Sequence, residues 1–175
     1  IYYFCYLYSL KLNDITTYKI VTIKVNLGMK NFLDISDLDR DSILHIFDLS
    51  KKYDENFDLF PLKHKSIGLI FEKYSTRTRI SFQVGISNLG GNSIDIKFEE
   101  LNFQRSESFE DTFKILALYL DGLVFRTNDH KKLINAQNYF NKPIINGLSD
   151  ISHPCQIIAD IYTLKSFFKD FENLN

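Results

Sequence analysis

The apolar positions of this chain change period several times along its length. Ile43, Ile46, Phe47 and Leu49 recur at helical spacing after Ser36-Asp37-Leu38-Asp39. That run reads as a capped helix start with Asp at the third helical position, where Glu is usual, and the helix is expected to reach about Tyr53. Residues 66–71 form a continuous apolar run of strand length, and residues 76–89 return to helical spacing until Gly90-Gly91 stops them. Residues 93–98 alternate as a strand does, and residues 101–107 are polar and read as a loop. Ser108-Phe109-Glu110-Asp111 opens a second capped helix, with Phe113, Leu116, Ala117 and Leu120 on one side. Gly122-Leu123-Val124-Phe125 is short and wholly apolar, as central parallel strands are. A helix over residues 129–139, a strand over 143–146 and a long helix from Pro154 to about Phe171 complete the pattern.

This alternation of strand and helix predicts an α/β fold: a parallel sheet of about four strands with helices on both faces. In such sheets ligands bind beyond the carboxyl ends of the strands. The segments that follow the strands, residues 72–79, 102–108, 126–127 and 147–156, should therefore converge on one edge. They carry Arg77, Arg79, Arg105, Arg126, His153 and Gln156, a concentration of cationic and amide groups suited to a small phosphorylated ligand.

Within that edge, Ser75-Thr76-Arg77-Thr78-Arg79 stands between a strand and the start of a helix. The first turn of a helix has N–H groups without intrahelical partners and the positive end of the macrodipole, so an anion there gains hydrogen bonds and a favourable field. Hydroxyls of Ser75, Thr76 and Thr78 can add donors, and Arg77 adds a planar fork that matches phosphate oxygens. An ordinary N-cap followed by solvated arginines is the competing reading, but that turn favours acidic side chains. Arginines in a mildly unfavourable place point to an anion that compensates them.

Composition narrows the rest. The chain has 175 residues, 45% of them hydrophobic and 25% charged, enough for one domain of ordinary size with a packed core. A net charge of −1 gives no bulk attraction to nucleic acid or to an acidic membrane, and neither is expected as a partner. No apolar run approaches the roughly 20 residues of a membrane-spanning helix, so a soluble protein is expected. Cys5 and Cys155 form no disulfide framework, which fits a reducing, cytoplasmic compartment. His45, His64, His130 and His153 lack the spacing of a zinc site, and no metal or cofactor is expected.

Residues 1–28 differ from the remainder: they carry five tyrosines, no arginine and a single acidic residue, Asp14. They lack the basic region and small-residue cleavage site of a signal peptide. The chain's one methionine is Met29. The expectation is a native start at Met29 with residues 1–28 as an upstream extension; a pair of added edge strands is the rival reading.

Five segments in order, Phe71-Glu72-x-x-Ser75-Thr76-Arg77-Thr78-Arg79-x-Ser81-Phe82, Leu89-Gly90-Gly91, Glu107-Ser108-x-x-Asp111-Thr112, Arg126-Thr127 and His153-Pro154-Cys155-Gln156, resemble the carbamoyltransferase family in sequence and spacing. The resemblance covers residues 29–175 and implies the amino-terminal domain, which binds carbamoyl phosphate, over 29–152, with 153–175 as the helix crossing to a second domain. Thr127, Cys155 and the absence of a lysine between Phe98 and Lys114 are closer to the members that use ornithine than to those that use aspartate. Members that use putrescine or N-acetylornithine share much of this domain.

What the resemblance implies is carbamoyl transfer from carbamoyl phosphate to the side-chain amine of ornithine, giving citrulline and phosphate, without cofactor or metal. It places Ser75, Thr76, Arg77 and Thr78 on the phosphate, Thr78, Arg126 and His153 at the carbonyl oxygen, and Gln156 on the carbamoyl NH2. Pro154 and Cys155 complete that segment, with Cys155 in a packing and backbone role. It also implies a homotrimer in which a glutamine reaches the phosphate of a neighbouring subunit. Here that position is Asn102, with Gln104 two residues on, so the contact is shortened or passes to Gln104. The domain that binds the amino acid has no counterpart in these residues, so this chain is expected to be an enzyme fragment, inactive alone. The aromatic residues of the last helix, Tyr162, Phe167, Phe168 and Phe171, are expected to pack against that second domain. A non-catalytic module that binds a phosphorylated ligand is the alternative.

Overall fold

The computed structural model describes residues 2–8, 18–24, 31–55, 60–101 and 107–167. Strands β1 (Tyr2–Tyr8) and β2 (Tyr18–Lys24) pair antiparallel in a sheet of their own. A strand pair is thus what the described part of residues 1–28 forms, although it does not extend the edge of the main sheet.

Helix α1 (Arg40–Glu55) begins three residues later than the sequence pattern suggests. The capping box is present but sits two residues earlier: Asp34 caps a short 3-10 turn, Ile35–Asp37, and Asp37 reaches back to the Asp34 N–H at 3.0 Å. Leu38 then adopts an extended backbone (φ −117°, ψ 132°) and breaks the run. Asp39 makes the second start, accepting from the Ser42 N–H at 2.8 Å. Two short acidic side chains, each able to satisfy free N–H groups, therefore give two starts where the sequence suggested one.

The remaining elements follow the predicted order closely: β3 (Ser66–Phe71), α2 (Thr76–Asn88), β4 (Asn92–Lys97), α3 (Phe109–Tyr119), β5 (Gly122–Arg126), α4 (His130–Tyr139), β6 (Ile144–Leu148) and α5 (Pro154–Phe167). The stop of α2 is a Schellman turn. Gly91 N donates to Ile86 O and Gly90 N to Ser87 O, both at 2.9 Å, with Gly90 at φ +80°, a conformation that favours glycine.

Strands β3 to β6 form one parallel sheet in the order β4-β3-β5-β6. Their residues alternate between two cores. Ile67, Leu69, Val124 and Ile145 face Phe47 of α1, Phe82 and Ile86 of α2, and Ile158 of α5. Ile70, Leu123, Phe125 and Ile144 face Phe113 and Ala117 of α3 and Leu133 and Ala136 of α4. Wholly apolar strands are what a sheet covered on both sides requires. Gly68 lets Leu120 approach, since a Cβ there would meet the Leu120 Cδ1 at 2.6 Å.

Strand order reverses between β3 and β5: from β3 the chain goes to one neighbour, then returns to the other side. This is the topological switch point, where the two exits diverge and leave a crevice. Among the described residues, no helix is long and apolar enough to cross a membrane.

Candidate functional site

The exit of β3 leads into α2 through Ser75, whose extended backbone (φ −151°, ψ 99°) marks it as the N-cap. Its hydroxyl makes no capping bond. By contrast, Ser108 accepts from Asp111 N to cap α3, and Asp129 accepts from Lys131 N to cap α4. The hydroxyl of Ser75 is turned across the crevice instead, where it accepts from the Arg126 guanidinium at 3.2 Å; Thr78 Oγ1 lies 3.4 Å from the same nitrogen. Arg126 ends β5, paired in register with Phe71 of β3, so the two strand ends themselves fix this approach.

The first turn of α2 thus keeps its N–H groups free of side-chain caps and has no acidic residue. Thr76 and Arg77 are exposed there, and among the described residues the Arg77 side chain makes no hydrogen bond or ion pair. A guanidinium at the positive end of a helix, without a carboxylate, leaves room for an anion.

His153 follows β6 and immediately precedes α5, and Pro154 takes the first helical position, where its missing N–H costs nothing. Burial depresses the His153 pKa, the Arg126 charge depresses it further, and Asp160 opposes them weakly. The imidazole is therefore neutral at pH 7. Burial also lowers the Arg126 pKa from its ordinary value, yet a guanidinium remains protonated. Arg126 Nε and His153 Nδ1 are both fully buried without a hydrogen-bond partner among the described residues. Each such orphan costs about 1–3 kcal/mol unless something satisfies it. Two orphans on neighbouring residues of one crevice are what a site awaiting a polar ligand looks like.

Gln156, one residue into α5 beyond Cys155, donates its amide Nε2 to Asp160 at 2.9 Å. A carboxylate only accepts, so this bond fixes the amide orientation and leaves the Gln156 carbonyl oxygen available as an acceptor. Cys155 is buried, with its Sγ 3.7 Å from the Asn146 carbonyl oxygen, a packing position rather than that of an exposed nucleophile. Asn102 and Arg105, with Gln104, lie outside the described residues. Among the described residues, no group of three or more His, Cys, Asp or Glu side chains is placed to hold a metal ion.

Arg79 points away from the others and pairs with Asp95 of β4 at 3.0 Å. Together with Glu72, Tyr74, Ser75 and Lys97 this pair lines a cleft on the β4 side of the loop. The mixed charges of that cleft make it a poor match for a dianion. Tyr162 of α5 packs against Phe47 of α1, ring centroids 5.1 Å apart, so it belongs to this domain's own core; Phe167 is exposed.

Sequence reasoning missed two supporting groups. Glu72, just past β3, receives Lys132 Nζ, the Thr127 hydroxyl and, at 3.1 Å, the Asn128 N–H. Asn146, fully buried in β6, donates to Leu33 O at 2.9 Å and Ser152 O at 3.1 Å and accepts from Leu148 N at 3.0 Å, folding the loop that delivers His153. A polar residue inside an otherwise apolar strand was the available signal for Asn146, because such a group must find partners.

Comparison with known proteins gives this geometry a family. Residues 30–166 match the model of the aspartate/ornithine carbamoyltransferase, carbamoyl-P binding domain. The chain is 43% identical over 153 residues to an ornithine carbamoyltransferase of Prochlorococcus marinus subsp. pastoris, covering 87% of this chain and 50% of that protein. It is 45% identical over 140 residues to the ornithine carbamoyltransferase of Caldicellulosiruptor saccharolyticus, covering 78% and 46%. Among solved structures, the ornithine carbamoyltransferase of Thermus thermophilus superposes with a TM-score of 0.77 at 30% identity, over 83% of this chain and 51% of that one. The enzyme from Pyrococcus furiosus gives 0.74 at 35% identity, over 82% and 47%. The chain spans about half the length of the curated relatives it matches. With its sheet, its uncapped α2 and its match over residues 30–166, the chain belongs to the aspartate/ornithine carbamoyltransferase family, in that family's carbamoyl-P binding domain.

Proposed function

We propose that this chain supplies the carbamoyl-phosphate half of an ornithine carbamoyltransferase. The single observation that carries the reading is the meeting of the Arg126 guanidinium with Ser75 and Thr78 over the uncapped start of α2, at the switch point of the sheet.

Carbamoyl phosphate has a phosphate dianion joined to a small planar carbonyl. On this reading the phosphate sits at the N-terminus of α2, held by its free N–H groups, by the Ser75, Thr76 and Thr78 hydroxyls and by Arg77. The carbonyl oxygen lies toward Arg126, Thr78 and His153. When the uncharged side-chain amine of ornithine attacks the carbonyl carbon, negative charge grows on that oxygen and the bond to phosphate breaks. A well-aimed donor is worth about 2.7 to 4 kcal/mol at such a developing oxyanion. The unpartnered Arg126 Nε and the neutral, unpartnered His153 side chain are the groups placed for this. The free carbonyl oxygen of Gln156 accepts from the carbamoyl NH2 and so sets the plane of the substrate. Cys155 and Pro154 hold the backbone of this segment.

The amine would be bound by a second domain, and Asn102 would act on the phosphate of a neighbouring subunit in a homotrimer. A cytoplasmic location goes with this reading. Support for ornithine over aspartate comes from the named relatives, all ornithine carbamoyltransferases. The test is an assay of the protein joined to its second domain, with ornithine, aspartate, putrescine and N-acetylornithine offered in parallel. Citrulline formed from ornithine well above the other products is the expected result. A preference for aspartate would overturn the choice of amine, and binding of carbamoyl phosphate without transfer to any of them would favour a non-catalytic module.

A further inference from the structure

Glu72 carries a negative charge three residues before the start of the anion site. A carboxylate there is unfavourable unless it does something that the site needs. Its partners show what that is. The last backbone bond between the exits of β3 and β5 runs from Glu72 N to Arg126 O at 2.9 Å. Beyond it the two strand exits part, one toward α2 and the other toward α4. The Glu72 carboxylate continues the link across the gap: one oxygen accepts from the Thr127 hydroxyl and the Asn128 N–H, the other from Lys132 Nζ of α4. Arg126 is therefore gripped on both sides by one residue, through its own carbonyl and through the two residues that follow it. Lys132 also lies 5.0 Å over the ring of Phe98, just past β4, which ties a third strand exit to the same point.

Despite the cost of partial burial, these hydrogen bonds and the Lys132 charge hold the Glu72 carboxyl below its ordinary range, so the grip is ionised at neutral pH. The charge of Lys132 also offsets that of Glu72, so the anion site does not face a bare carboxylate.

We infer that Glu72 is a positioning residue: its clasp on Thr127, Asn128 and Lys132 aims the Arg126 guanidinium at Ser75 and Thr78. Its meaning for ligand binding rests on the carbamoyl phosphate reading, whereas its effect on the Arg126 side chain does not. Loss of the carboxylate frees the exit of β5, and the guanidinium then samples positions that no longer converge with the α2 start. Displacements of this kind are costly to binding because they act on direction as well as distance.

The experiment follows the Arg126 Nε–Hε resonance by NMR in the whole chain, assigned by its disappearance in Arg126→Lys, with and without carbamoyl phosphate. Folding of each variant is checked by circular dichroism. Without ligand, Glu72→Ala should shift or broaden the resonance, and Glu72→Gln, which keeps an acceptor for Thr127 and Asn128, should largely restore it. On titration, Glu72→Ala should weaken carbamoyl phosphate about tenfold and Glu72→Gln by no more than roughly threefold. In the Arg126→Ala background, Glu72→Ala should cause no further loss, because its effect passes through the residue already removed. An unmoved Arg126 resonance in folded Glu72→Ala would overturn the inference, and so would an affinity loss repeated in full in the Arg126→Ala background. If wild type and Arg126→Ala respond identically to carbamoyl phosphate, the functional reading fails, and the ligand-free resonance alone decides whether Glu72 positions Arg126.

Discussion

Helices α2 and α4 leave the same edge of the sheet on either side of its switch point, yet they begin in opposite ways. Asp129 caps α4 by accepting from Lys131 N at 2.9 Å, and the start is complete in itself. Ser75 occupies the equivalent place on α2, gives no cap, and turns its hydroxyl to Arg126. The first turn of α2 then adds Arg77 and Arg79, the wrong sign for the helix dipole, while its acidic complement is lacking. One helix start is built for stability. The other leaves its first N–H groups without a side-chain cap, and that difference is what makes it the candidate anion site.

Removing each of the two N-cap side chains in turn separates stability from binding. Asp129→Ala should lower stability by about 1 kcal/mol, the usual worth of a side-chain cap, and leave carbamoyl phosphate affinity unchanged. Ser75→Ala should do the reverse: little change in a urea midpoint, and affinity weakened about fivefold, as suits loss of one neutral hydrogen bond. Paired denaturation and calorimetry on both variants read this directly. Equal stability losses would mean that both caps are structural.

A smaller effect sharpens the electrostatic side of the contrast. His153 is held below its ordinary pKa by burial and by Arg126, with Asp160 opposing. The folded state therefore binds fewer protons than the unfolded state once the pH falls below about 6.5. Its part in stability is intact above that value and is lost as pH falls from there toward the lower folded value. His153→Asn should flatten the decline in urea midpoint between pH 7.5 and pH 5.5; a decline as steep as in wild type would show that His153 is not held neutral.

The smallest effect is expected at Arg79. Its pair with Asp95 has side chains 42% and 35% exposed, so Arg79→Ala should cost no more than about 1 kcal/mol and leave ligand affinity unchanged. A large loss of affinity would move the anion toward the cleft beside β4 and away from Arg126.

Much of this was legible in the sequence, because it rests on local rules. The strand from Ser66 to Phe71 and the Gly90-Gly91 stop declare themselves by period and backbone chemistry, and the strand-end rule groups Arg126 with Ser75, as the structure does. The start of α1 was read too early because Asp34, Asp37 and Asp39 all have capping chemistry, and only the extended Leu38 decides between them. Other features depend on packing between distant residues. Glu72 meets Lys132 sixty positions along the chain because α4 lies across the sheet edge, a fact that no spacing reveals. The pair of Arg79 with Asp95 depends likewise on strand order, which lays β4 beside β3. The Asn146 network is intermediate, announced by a polar residue in an apolar strand but specified only by the loop that folds around it.

In the proposed function the uncapped start of α2 holds the phosphate of carbamoyl phosphate through Arg77 and its neighbours. Calorimetric titration of the wild-type chain and of Arg77→Ala with carbamoyl phosphate tests it most directly. Saturable binding by the wild type and no detectable binding by Arg77→Ala are expected, with the variant's thermal transition unchanged because Arg77 is exposed. Unchanged affinity in Arg77→Ala would contradict it.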